Sequence, residues 1–195
     1  IPKKDEKWFV EKPLRMSNSY YNFSKPLKDN VEIVKRNIKE VTFGCFNNPK
    51  KLNDDVLLLW SKIIKNIPLS KIIFKYKYYQ DPDIRDDILK YFISNGINKN
   101  RIVFLNGSER EDYLKDYNKI DFSLDPFPYP GGTTTCESLY MGVPVITLKG
   151  NDFLSRNSEN ILLNSGLKRY IAKDKDDYMN IAVNASQNIH DNDKE

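Results

Sequence analysis

From residue 41 onward, short apolar runs alternate with stretches whose apolar residues return every three or four positions. The run VTFGCF at 41–46 is predicted as a strand. A helix is expected over 54–67, with Leu57, Trp60, Ile64 and Ile67 on one face. KIIFKYK at 71–77 reads as a second strand, and 83–95 as a second helix. RIVFLN at 101–106 is a third strand, followed by a helix that opens near Glu109. FSLDPF at 122–127 is a fourth strand, and the helix after it opens at Thr133. VPVITL at 143–148 is a fifth strand, with a helix over 155–165 behind it. Residues 170–172 form a short sixth strand and 174–187 a last helix. Strand then helix, repeated in this way, implies a parallel sheet covered on both faces and joined by right-handed crossovers. The expected fold is therefore an α/β, Rossmann-like doubly wound domain over 41–188, followed by a polar tail over 189–195. Residues 1–40 stand outside the pattern, with Trp8, Phe9, Tyr20, Tyr21 and Phe23 set among charges. They are expected to form a leading segment that packs on this domain or on a missing neighbour.

A chain of 195 residues with 39% hydrophobic and 12% aromatic residues can build one ordinary core. Its 31 basic and 27 acidic residues leave +4, spread along the chain, which gives no reason to expect nucleic acid. No apolar run nears the roughly 20 residues that cross a membrane. The opening Ile1-Pro2-Lys3-Lys4-Asp5 has no signal-peptide character and no initiator Met, and reads as the start of a fragment. Cys45 and Cys136 are too few for a disulfide framework and lack metal-ligand spacing, so no metal and a reducing cytoplasm are expected. The single histidine, His190, falls in the polar tail and is read as a surface residue, which removes any Ser-His-Asp arrangement.

Doubly wound sheets bind ligands beyond the carboxyl ends of their strands, where strand order reverses. In the order 3-2-1-4-5-6, the loops after the first and fourth strands face one another there. The fourth-strand loop reads Pro126-Phe127-Pro128-Tyr129-Pro130-Gly131-Gly132-Thr133-Thr134-Thr135. Prolines stiffen it, Gly131 and Gly132 allow a tight turn and a close approach, and Thr133 opens a helix. Free N–H groups and the positive dipole end suit phosphate oxygens, and Thr133 and Thr134 add hydroxyls. Glu137 falls one turn later on the same face, placed to accept hydrogen bonds from ribose hydroxyls. Alone, Gly-Gly-Thr is an ordinary turn and cap; its position at the switch point favours a diphosphate. The first-strand loop, Asn47-Asn48-Pro49-Lys50-Lys51, offers a lysine that can reach across and neutralise a departing nucleoside diphosphate. Neither a Gly-x-Gly-x-x-Gly fingerprint nor a Walker A sequence is present, so nothing points to NAD or to an ATPase. Asp121 and Asp125 alternate along a strand; Asp125, near the strand end, could serve a site, but a structural role is the simpler reading.

The stretch PFPYPGGTTTCESLYMG at 126–142, followed by VPVITL, resembles the signature of the O-GlcNAc transferase and SPINDLY family, glycosyltransferase family 41. Phe46-Asn47-Asn48-Pro49-Lys50-Lys51 with Trp60 downstream, RIVF at 101–104, and MSNSYY at 16–21 with Pro26 are similar to further family segments in the same order. The resemblance runs over roughly residues 7–187. It implies the carboxy-terminal, donor-binding lobe of a two-lobed GT-B enzyme. The implied enzyme is inverting and metal-independent, and transfers a sugar to Ser or Thr of an acceptor protein. The amino-terminal lobe, usually preceded by tetratricopeptide repeats, would be a separate part. By resemblance, Lys51 contacts the diphosphate and assists leaving-group departure, and Asn48 is the amide beside it. Thr133 and Thr134 would bind the pyrophosphate, Glu137 the ribose, and Ser108, Arg110 and Tyr113 the base. UDP-GlcNAc is the implied donor, with GDP-fucose or another UDP-hexose as alternatives. The sequence departs from the animal enzyme at Gly132, where that enzyme has histidine, and at Asp116, where it has arginine. A non-catalytic nucleotide-binding module is the rival reading.

Overall fold

The computed structural model describes residues 3–24, 31–34 and 40–189; Pro26 and residues 190–195, His190 among them, lie outside the described residues. Ile189, expected to open the polar tail, is instead buried in the core because its apolar side chain packs behind the last helix. Six strands, β1 (Thr42–Cys45), β2 (Lys71–Lys75), β3 (Ile102–Leu105), β4 (Phe122–Leu124), β5 (Val145–Leu148) and β6 (Ile171–Ala172), form one sheet in the order β3-β2-β1-β4-β5-β6. Every neighbouring pair is parallel. The helices are α1 (Asp54–Asn66), α2 (Pro82–Ser94), α3 (Arg110–Lys115), α4 (Thr133–Tyr140), α5 (Asn157–Asn164) and α6 (Lys175–Gln187).

Alternation along the strands divides the core between two faces. Ile72 and Phe74 join Phe43, Cys45 and Phe122 under Trp60 of α1, Phe92 of α2 and Tyr178 of α6. Ile73 points the other way, with Phe46, against Leu114, Tyr117, Ile120 and Met141. Trp60, Ile63 and Ile64 are fully buried, as the helical spacing requires. Capping fixes where the helices begin. The Asn53 side chain accepts from Val56 N at the start of α1, and Asp174 does the same for Asp177 N at α6. The Arg101 guanidinium donates to the carbonyls of Ile64, Ile67 and Ser70 at 2.6–2.8 Å, tying the exit of α1 to β3.

Some boundaries differ from expectation, and proline explains the clearest cases. β4 ends at Leu124, not at 127, because Pro126 and Pro128 bring no N–H to a ladder. β5 begins at Val145, not at 143; Pro144 contributes only its carbonyl, which accepts from Ser123 N. β1 is Thr42–Cys45 rather than 41–46, and β2 stops at Lys75 before a short 3-10 helix over Lys77–Gln80. α3 is a single short helix that tightens into a 3-10 turn over Asp116–Lys119.

The described part of the leading segment lies against the lobe. Ser19 Oγ donates to Asn160 Oδ1 at 2.5 Å, and the Tyr20 hydroxyl donates to Asn157 Oδ1. The Tyr20 ring sits 5.1 Å from that of Phe153 and 4.7 Å from that of Tyr21. Farther along, Asn118 accepts from Val34 N and donates to the Glu32 carbonyl. Among the described residues, no helix is long and apolar enough to cross a membrane.

Candidate active site

β1 and β4 are neighbours in the sheet, so the loops that leave their carboxyl ends share one crevice. Side chains tie the two loops together. Lys51 Nζ donates to Asn47 Oδ1 and to the Pro130 carbonyl, both at 2.9 Å, and lies 4.3 Å from the centre of the Tyr129 ring. Thr134 Oγ1 donates to the same Asn47 oxygen at 3.1 Å, and Asn53 Nδ2 donates to the Phe127 carbonyl at 2.8 Å. Burial pushes the Lys51 ammonium below its ordinary pKa, while the charge of Asp125 pulls it back. Asn48 caps the turn that carries the lysines, accepting from Lys50 N at 3.0 Å.

The other wall is the start of α4. Its N-cap is Gly132, which has no side chain to satisfy the first helical N–H groups. Those donors and the dipole therefore face the crevice beside Lys51. Gly131 and Gly132 are needed for close approach: neither is among the glycines with positive φ. A Cβ on Gly131 would meet Thr134 Oγ1 at 2.7 Å and also run into Thr135 Oγ1. One on Gly132 would collide with the hydroxyl of Tyr21, from the leading segment. Beneath the loop lies Asp125, 1% exposed. One of its oxygens accepts from Gly131 N at 2.7 Å and the other from Thr147 Oγ1 at 2.8 Å. Burial raises its pKa, and hydrogen bonds from Ser158, Gly131 N and Thr147, together with the Lys51 charge, work against that rise. Thr133 is exposed at the mouth.

Glu137 lies on the same helix, with its carboxylate almost buried. One oxygen pairs with Arg110 of α3, and the other accepts from the Tyr113 hydroxyl at 2.9 Å. The Tyr113 ring packs 5.8 Å from Phe46 and edge-on to Tyr117, whose hydroxyl donates to the Thr134 carbonyl at 3.3 Å. α3 and α4 are thus joined through the side chains predicted to hold base and ribose. Ser108 is exposed at the far end of this row. Among the described residues, no group of three or more His, Cys, Asp or Glu is placed to hold a metal. Two surface hollows of about 580 and 680 Å³ are lined by other residues, including Leu14, Met16 and Phe153 in one and Tyr140, Leu139 and Leu167 in the other. Neither takes in Lys51, Thr134 or Glu137. Convergent polar groups, not volume, locate the site.

The model of Glycosyl transferase family 41 matches residues 35–194. This chain belongs to glycosyltransferase family 41. A SPINDLY protein of Petunia hybrida, described as a probable UDP-N-acetylglucosamine–peptide N-acetylglucosaminyltransferase, is 35% identical over 154 residues, covering 76% of this chain and 16% of that protein. A UDP-N-acetylglucosamine–peptide N-acetylglucosaminyltransferase of Caenorhabditis elegans is 30% identical over 144 residues, or 73% of this chain and 12% of that one. A mutant O-GlcNAc transferase of Thermobaculum terrenum superposes with a TM-score of 0.89 at 29% identity, over 97% of this chain and 36% of its own. The chain therefore spans a minor part of each relative.

Set in this family-41 lobe, the structure adds residues that the sequence reading left unassigned. Asn47, rather than Asn48, bridges Lys51 and Thr134. Asp125 braces the glycine loop. Tyr21 closes over Gly132, and Tyr129 lies on Lys51. Lys75, at the end of β2, is buried beside Ser108 and Asp116. The position of Asp125 at a strand end was a usable signal. Tyr21 belongs to the leading segment expected to pack on this domain or on a neighbour, but its place over Gly132 had no signal in the alternating pattern.

Proposed function

We propose that this chain is the donor-binding lobe of a GT-B protein O-glycosyltransferase that transfers GlcNAc from UDP-GlcNAc to Ser or Thr, with inversion and without a metal. The observation that carries this is the convergence of the Lys51 ammonium and the uncapped start of α4 on one crevice, with Glu137 one turn farther in. Lys51 and the helix N–H groups hold the diphosphate of the donor. As the acceptor hydroxyl attacks the anomeric carbon from the opposite side and releases its proton to solvent, the bond to the diphosphate breaks and one more negative charge gathers on the leaving group. Lys51 binds that charge more tightly than the ground state, which is what raises a rate. Glu137 takes the ribose hydroxyls, and Asn48, Thr133 and Thr134 complete the phosphate end. Ser108, Arg110 and Tyr113 form the base end. In this reading the partners are a nucleotide sugar, an acceptor protein, and an amino-terminal lobe with tetratricopeptide repeats, in the cytoplasm.

A GDP-fucose donor is the second reading, favoured by Gly132, whose missing side chain leaves room for Tyr21 where the animal enzyme carries a histidine. Calorimetry with UDP, GDP, UDP-GlcNAc and GDP-fucose separates the two donors. Binding of one nucleoside diphosphate, weakened in Lys51→Ala, is expected. No binding of either, or binding indifferent to Lys51, defeats the proposal. Binding without transfer in a protein carrying both lobes returns the answer of a non-catalytic module.

A further inference from the structure

Glu137 sets a carboxylate four residues, about 6 Å of helix, behind the start of α4, where the crevice is built for a negative ligand. Its side chain is 6% exposed, so water does little to weaken its charge. Two residues of α3 hold it. The Tyr113 hydroxyl donates to Oε2 at 2.9 Å, and the Arg110 guanidinium pairs with Oε1. The Tyr113 ring also lies 5.8 Å from the guanidinium, so one side chain touches both halves of the pair. Burial, and then the charge of Glu137, raise the pKa of Tyr113, which keeps it a neutral donor. Arg110 is therefore the one ion-pair partner of Glu137 among the described residues.

A buried carboxylate with no counter-charge is hard to keep ionised, and an ionised one beside a diphosphate repels it. The guanidinium answers both, because it is charged at every working pH. Its contact leaves room for a ligand on the carboxylate. An ionised carboxylate has about four lone-pair sites, and Arg110 and Tyr113 take one each. We propose that Arg110 is a positioning residue that acts through Glu137. It neutralises a buried carboxylate at the edge of an anion-binding crevice. That carboxylate can then stay ionised and accept from ribose hydroxyls while a diphosphate is bound. The role requires no touch between Arg110 and the base. It rests on the nucleotide-binding reading of the crevice.

The test is a double-mutant cycle read by calorimetry on the chain, with UDP and GDP as probes. Arg110→Met should weaken whichever nucleoside diphosphate binds by roughly tenfold, within the range for one uncompensated charge about a helical turn away. Arg110→Lys keeps the charge without the planar fork and should lose about threefold or less. Glu137→Gln removes the charge that Arg110 answers, so adding Arg110→Met to it should change affinity by no more than about twofold. Inorganic pyrophosphate should follow the same cycle, because the repulsion acts on the phosphates. An Arg110→Met loss of equal size in both backgrounds overturns the proposal, since Arg110 then meets the ligand itself. A folded Arg110→Met with wild-type affinity overturns it too, as does an Arg110→Lys as weak as Arg110→Met. The double variant holds no orphaned buried charge. If the single variant does not fold, Glu137→Gln against the double variant decides, and a loss of about tenfold between them is a direct contact and overturns the proposal. If wild type binds neither nucleotide, the reading of the crevice fails and this role falls with it. Nucleotide binding with independent effects at 110 and 137 defeats this role alone.

Discussion

Lys51→Met keeps the aliphatic stem of the lysine and removes its charge, which separates what the ammonium does for the fold from what it does for the ligand. In the folded chain Nζ makes two hydrogen bonds, to Asn47 Oδ1 and the Pro130 carbonyl, and burial holds its pKa below the ordinary value. A base whose folded pKa lies below its unfolded pKa binds fewer protons when folded, so its charge burdens the fold at neutral pH. That burden eases as pH rises from the folded pKa toward the unfolded one. Losing two hydrogen bonds costs about 2 kcal/mol, and relief of the desolvated charge works in the opposite direction. The melting temperature should therefore fall by less than about 8 °C. The ligand gains no such offset. A unit charge about 4 Å from the ammonium is attracted by roughly 1 kcal/mol at the dielectric of water and roughly 4 kcal/mol at that of a protein surface. About one unit of charge is added as the sugar departs, so turnover in a two-lobed protein should fall roughly tenfold to a thousandfold beyond any loss of donor affinity. The assay is kcat and donor Kd measured separately, with a thermal melt alongside. Turnover within about twofold of the parent in a folded variant refutes the assignment. So does an equal loss in affinity and turnover, which would leave Lys51 with uniform binding only.

Asp125→Ala should leave Gly131 N and the Thr147 hydroxyl without an acceptor, a loss of about 2–5 kcal/mol by urea melt. Because burial raises the folded pKa of this carboxyl, its contribution is greatest below the unfolded carboxylate pKa and is lost as pH rises through the folded one; Asp125→Asn should flatten that part of the stability profile. Gly132→Ala should displace Tyr21 and weaken donor binding, and Tyr21→Ala in the same chain should relieve the clash; additive losses in the double variant count against that contact. Asn53→Ala removes both the cap of α1 and the tether to Phe127, and should cost about 1–2 kcal/mol by thermal melt.

The sheet was legible because each strand is short, apolar and followed by a helix with one apolar stripe. Trp60 and Ile64 are where a period of 3.6 puts them, and the observed strand order is the common one taken for such an alternation of elements. The crevice was legible because proline, glycine and threonine crowd into one loop at the switch point. What stayed hidden depends on contacts between residues far apart in the chain. Lys75 is one of three lysines in KIIFKYK, and nothing in the sequence sets it apart from Lys71 and Lys77; only the fold of the β3 loop over the end of β2 buries it. Asn47 and Asn48 are adjacent and chemically alike, and the geometry at the exit of β1 decides which one reaches Lys51. Glu137 was expected to await a ribose, but its oxygens already have partners in Arg110 and Tyr113, whose long side chains reach across from α3.

The ties among Asn47, Lys51, Asn53 and the 127–134 loop join the two walls of the crevice through the lobe's own side chains. A receptor assembled in advance spends little entropy on capture, but it offers the same grip to a spent nucleotide as to a loaded donor. If the occupant is a nucleoside diphosphate, the product should compete strongly with the donor. Its escape, rather than rupture of the glycosidic bond, then becomes the step that the cell's ratio of used to fresh donor can slow.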